Sequence, residues 1–111
     1  MTRAEVPESR AAEIRLTLDA AVMRSAAPTL VPYLPDREQV PRQVGTAAEL
    51  QTRTDRAVLA LNAAGFGAVA QETLSRTRRA RRYRDGGVTW CRTVMAAERA
   101  VEELTGQPAE N

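Results

Sequence analysis

Leu61-Asn62-Ala63-Ala64-Gly65-Phe66-Gly67-Ala68-Val69-Ala70 is the stretch whose reading decides the fold. Upstream of it, Thr46-Ala47-Ala48-Glu49 has the form of a capping box, in which threonine and glutamate side chains satisfy each other's free backbone amides. That box opens a helix on which Ala47, Leu50, Thr54, Ala57, Val58 and Leu61 share a face. Downstream, Phe66, Val69, Ala70, Thr73, Thr77, Ala80 and Tyr83 make a second stripe. On one unbroken helix, turning about 100° per residue, the second stripe would sit about 100° around from the first. Two helices joined at Gly65 let both stripes face one core. Gly65 can adopt the left-handed conformation, and Phe66 can then fold back on Leu61, as in a Schellman ending. The pattern predicts a break after Ala64 and a second helix from about Ala68 to Arg84. An unbroken helix with Ala60, Ala64 and Ala68 as a small-residue face is the alternative.

Toward the C-terminus, Asp85-Gly86-Gly87 is a turn signal. A last helix from Val88 or Thr89 carries Trp90, Val94, Ala97, Val101 and Leu104 on one stripe, with Cys91 and Met95 beside it and Arg99 and Glu103 opposite. Gly106 suits its end and Pro108 prevents continuation. Toward the N-terminus, Pro28, Pro32, Pro35 and Pro41 make residues 28–45 an irregular connector, because proline fixes its own φ and drives the preceding residue out of the helical region. Leu30, Val31, Tyr33, Leu34 and Val40 are too apolar for a free linker, so the connector is expected to lie over the core. Asp36 and Gln39 can cap a single turn within it.

Before the prolines, Ser9 suits an N-cap. Ala11, Ile14, Leu18, Ala21, Val22 and Ser25 then recur at helical spacing. The alternation over residues 14–19 also fits a strand, but the surrounding alanines favour helix. Leu16 and Met23 form a second ridge, a candidate homodimer seam. Residues 1–8 and 106–111 are expected to be flexible tails. The expectation is one all-α domain over residues 9–105, a small bundle of about four helices with a proline-rich crossover.

Composition agrees. The chain has 111 residues, of which 4% are aromatic. An alanine-rich, aromatic-poor core favours closely packed helices over sheets. The longest uncharged run, residues 57–71, is too short and too polar to span a bilayer. No apolar segment follows the first charged residues, so no signal peptide is expected and the expected location is cytoplasmic.

There is no histidine and one cysteine, Cys91. Nucleophile–histidine catalysis has no imidazole to take the proton. A zinc site has too few ligands. Gly65-Phe66-Gly67 lacks the third glycine and the preceding strand of a dinucleotide loop. No enzymatic activity, cofactor or metal is expected.

The charge distribution is the informative part. All sixteen basic residues are arginine, and the net charge is +2. Arg76, Arg78, Arg79, Arg81, Arg82 and Arg84, with Asp85 as the one acid, give residues 76–85 a net charge of +5, leaving −3 for the remainder. Two arginines would suffice to complement the negative end of a helix dipole; six on one short rod point to an anionic partner. Ser75-Arg76-Thr77-Arg78-Arg79-Ala80-Arg81-Arg82-Tyr83-Arg84 resembles, in composition and over those ten residues, the arginine-rich helices of RNA-binding peptides such as phage antiterminators. Such a helix contacts nucleic-acid phosphates, with Arg76, Arg78, Arg79 and Arg82 as main contacts and Arg81 and Arg84 as auxiliaries. Trp90 is expected in the core, with stacking on a base as its alternative role. A helix-turn-helix centred on Gly65 is less apt, because its base-reading positions would be Ala68, Val69, Ala70 and Gln71, and the arginines lie at the far end. The expected function is that of a small nucleic-acid-binding or regulatory protein; the alternative is a protein–protein adaptor or accessory subunit docked on an acidic partner surface through the same ridge.

Overall fold

The computed structural model describes residues 29–108. Three α-helices make up that part of the chain: α1, Ala47–Ala63; α2, Gly67–Ala80; α3, Val88–Thr105. Two 3-10 turns, Val31–Tyr33 and Arg37–Gln39, precede them. The described residues are all-helical and contain no strand. Their helix count is three, not four. The helix expected from Ser9 onward, the Leu16–Met23 dimer seam and the N-terminal tail fall outside the described residues, and so does any crossover from that helix.

The chain does break at Gly65. α1 begins at the capping box: Glu49 N–H donates to Thr46 Oγ1 at 3.1 Å and Thr46 N–H donates to Glu49 Oε1 at 2.8 Å. Those bonds hold the Glu49 carboxyl below its ordinary pKa. α1 ends as a Schellman motif. Gly65, at φ +89°, donates to the Asn62 carbonyl, and Phe66 N–H donates to the Leu61 carbonyl at 2.8 Å. Phe66 is thereby tucked into the core. A Cβ at Gly65 would meet no atom within 4 Å, so only the backbone resists a substitution there. Gly65→Ala should therefore destabilise the fold by about 1–2 kcal/mol, the cost of a left-handed non-glycine residue. A lowered urea midpoint at unchanged slope is the check.

The helices pack pairwise around a core in two parts. One part, at the α1–α2 junction, gathers Leu30, Leu61, Phe66, Val69 and Val101 with buried alanines of α3. The other, at the α2–α3 junction, gathers Leu50, Ala80, Trp90, Cys91 and Val94. Fully buried threonines also sit in the interior. Thr54, Thr73 and Thr77 each donate their hydroxyl to the carbonyl four residues back, which lets them pack almost as hydrophobes. Thr54 Oγ1 also accepts the Trp90 indole N–H at 3.2 Å.

Residues 29–45 lie against the bundle. Leu30 and Pro35 are buried, and Tyr33, Leu34, Val40 and Val44 are partly buried on the core. Two polar ties hold this strap. Glu72 of α2 accepts the Thr29 hydroxyl and the Leu30 amide, and Arg92 of α3 donates to the Pro35 carbonyl at 2.7 Å.

Candidate functional site

The arginine block does not form one continuous helical rod. α2 ends at Ala80 rather than at Arg84, so the helix expected over 76–84 is corrected to 76–80 plus a turn. The chain leaves the helix through tight turn bonds, Arg82 N–H to the Arg79 carbonyl and Tyr83 N–H to the Ala80 carbonyl. The cause lies ahead of it. Asp85, two residues before the N-cap Gly87, accepts the backbone amides of Gly87 and Thr89 and the Thr89 hydroxyl, so it satisfies a first-turn amide of α3. Gly86 and Gly87, both left-handed, turn the chain through that corner. Those bonds hold the Asp85 carboxyl below its ordinary pKa, with the Thr89 hydroxyl the main cause.

The six arginines divide into two groups. Arg76 is paired within the protein: its Nε donates to Glu72 Oε2, and Glu72 simultaneously holds the strap. Arg81 lies over the Trp90 ring, with Cζ 5.2 Å from the centroid, a cation–π distance. Arg78, Arg79, Arg82 and Arg84 are exposed and make no side-chain hydrogen bond or ion pair with the described residues. They are set on the last turn of α2 and on the corner that follows, within seven consecutive residues, whereas the other exposed arginines without a side-chain partner among the described residues, Arg37, Arg42, Arg56 and Arg99, are scattered along the chain. Arg78 and Arg79 also lie where α2's carbonyls give partial negative charge.

Tyr83 departs from the sequence reading. It was expected on the buried stripe of a longer helix; beyond Ala80 the helical register no longer applies, and its side chain is 56% exposed. Trp90 is the reverse case. It is buried at 8% exposure, with its indole N–H bonded to Thr54 and Arg81 over its ring. A base cannot stack on it in this arrangement, and its role is that of a core anchor.

Two clefts flank Tyr83. One, of about 260 Å³, is bordered by Val44, Leu50, Arg81, Tyr83 and Trp90. The other, of about 170 Å³, is bordered by Arg76, Arg79, Tyr83, Thr89 and Thr93. Sequence reasoning found the arginines but missed this arrangement, since it depends on where α2 stops.

Cys91 is fully buried and reduced. Burial pushes its thiol pKa up, although the Arg53 guanidinium beside it pulls the other way. Arg53 itself is held by Glu98 through two bonds, at 2.9 and 2.6 Å, which keep it protonated. Cys91 should resist thiol reagents in the native protein and react on unfolding, as a time course with and without denaturant would show. Because the folded pKa is raised, the native state holds the proton longer than the unfolded chain. Its contribution to stability is therefore full below about pH 8.5, the ordinary thiol value, and is lost as pH rises from there through the folded value.

Among the described residues, no helix is long and apolar enough to cross a membrane. No family profile, curated protein or solved structure matches this chain.

Proposed function

We propose that this chain is a small, non-enzymatic, cytoplasmic nucleic-acid-binding protein that contacts phosphates through the end of α2 and the corner after it. The observation that carries this reading is the set of four exposed guanidiniums, Arg78, Arg79, Arg82 and Arg84, left without an internal counter-charge among the described residues. Arginine forks match phosphate oxygens bidentately and stay charged at any physiological pH. Arg76 and Arg81 are engaged inside the protein, so they serve as auxiliaries. The first turn of α2 offers no charge for base reading, which makes backbone contact the dominant mode.

Salt dependence tests it. Four phosphate contacts release counterions with a log–log slope of about −3.6 on duplex or about −3 on single strands. Titrations of duplex DNA, single strands and structured RNA at several salt concentrations would measure it. Absence of binding to all three at low salt would reject the proposal. The second reading, docking on an acidic protein, is favoured by the mixture of exposed arginine with Tyr83, residue types enriched in interface hot spots. It predicts retention of an acidic partner without the nucleic-acid titration.

A further inference from the structure

We infer that the ligand of this ridge is an unpaired strand, with one base stacked on Tyr83 and the adjoining phosphate held by Arg79. The inference rests on the nucleic-acid reading and narrows it. Tyr83 is one of four aromatic residues in the chain, and the only large aromatic left more than half exposed among the described residues. It is flanked in sequence by Arg82 and Arg84 and in space by Arg79 and Arg81. An exposed ring within a group of arginines is the arrangement that binds single strands, where bases stack on aromatic faces while guanidiniums track the backbone. In a duplex the base faces are covered by their neighbours, and a tyrosine at this position would have nothing to stack on.

The two clefts divide the work. The one between Tyr83, Arg81 and the Val44–Leu50 wall is lined mainly by apolar side chains, with Arg81 the one charged residue. At about 260 Å³ it is smaller than the roughly 300–1,000 Å³ of sites that enclose whole ligands, so it takes part of a larger molecule, a single ring system. On the other side of Tyr83, Arg79 is unpaired and exposed, and Thr89 and the Glu72-bound Arg76 border the same opening. The free donor there is the Arg79 guanidinium, because the Thr89 hydroxyl is given to Asp85, the Thr93 hydroxyl to the Thr89 carbonyl and the Arg76 Nε to Glu72. Tyr83 and the buried Ala80 line both, and Tyr83 is the exposed one, so a base and its own phosphate can be accommodated on either side of one side chain.

Fluorescence anisotropy on the full chain tests this, with a labelled homopolymeric single strand, the corresponding duplex and an acidic polyglutamate peptide as probes. Tyr83→Ala and Tyr83→Leu should weaken single-strand binding by about 5- to 150-fold, the range of one lost stacking contact. Tyr83→Phe should bind nearly as the parent does, and duplex binding should be insensitive to all three changes. Thermal melts of the variants should superimpose on the parent, since the side chain is exposed. Equal binding of single strand and duplex, both unaffected by Tyr83→Ala, would overturn the inference and leave the nucleic-acid reading standing. Binding of polyglutamate alone, or of no probe, would overturn both.

Discussion

Trp90→Ala should lower stability by about 3–5 kcal/mol, the usual cost of emptying a large aromatic from a packed core. Trp90 is the largest side chain of the α2–α3 half of the core, and the other buried residues there are Leu50, Ala80, Cys91 and Val94. None of them is long enough to fill the space. The lost indole also removes Arg81's ring and one bond to Thr54. A domain of this size has about 5–15 kcal/mol in total, so the variant would lose about a fifth of it or more. The midpoint of thermal unfolding should fall by at least about 12 °C. Trp90→Phe should cost far less, because Thr54 Oγ1 still donates to the Leu50 carbonyl when the indole is gone. A Trp90→Ala loss under about 1 kcal/mol would mean that the two halves of the core are not packed as described.

The second large effect is on binding. Arg78, Arg79 and Arg82 changed together to alanine should reduce affinity for a single strand by about a thousandfold at low salt. That figure takes about 1.5 kcal/mol for each charge-assisted contact, at the lower end of the range, and adds three of them. The salt slope should shrink by about 2 for single strands, near 0.7 per lost phosphate contact. Stability should barely change. Removing Arg78 and Arg79 forfeits their complement to the end of α2, about 0.3–1 kcal/mol each at most, and relief of repulsion among four neighbouring cations offsets it. A variant that binds normally, with an unaltered slope, would show that the ridge is not the contact surface. A variant that loses binding together with its melting transition would point to unfolding instead, and the single exposed change Arg82→Ala then isolates the electrostatic part.

What the sequence revealed follows from which interactions are local. The Gly65 break was legible because two apolar stripes on one helix could not share a core, and because Gly65-Phe66 carries the residues of a Schellman ending. The Thr46–Glu49 box and the Asp85-Gly86-Gly87 corner were legible for the same reason, since each lies within a few residues. The end of α2 was not. Arginine is a good helix former, so nothing in Arg81-Arg82-Tyr83-Arg84 itself signals a stop; the stop comes from Asp85 binding the next helix's amides. The Arg76–Glu72 pair is local, four residues apart, but the carboxylate's further hold on Thr29 and Leu30 spans more than forty positions. No periodicity carries information over that distance. The placement of Arg81 over Trp90 is likewise tertiary and was missed. Arg99 and Glu103, placed opposite the apolar stripe of the last helix, are exposed as that placement requires, and although four residues apart they form no ion pair.

One consequence of that Arg81–Trp90 contact is practical. The chain has a single tryptophan, and it sits at the edge of the very cleft assigned to a base. A guest that draws the guanidinium off the indole alters the surroundings of the dominant chromophore. On the proposed reading, a strand bound at the ridge should therefore change the intrinsic emission of unlabelled protein.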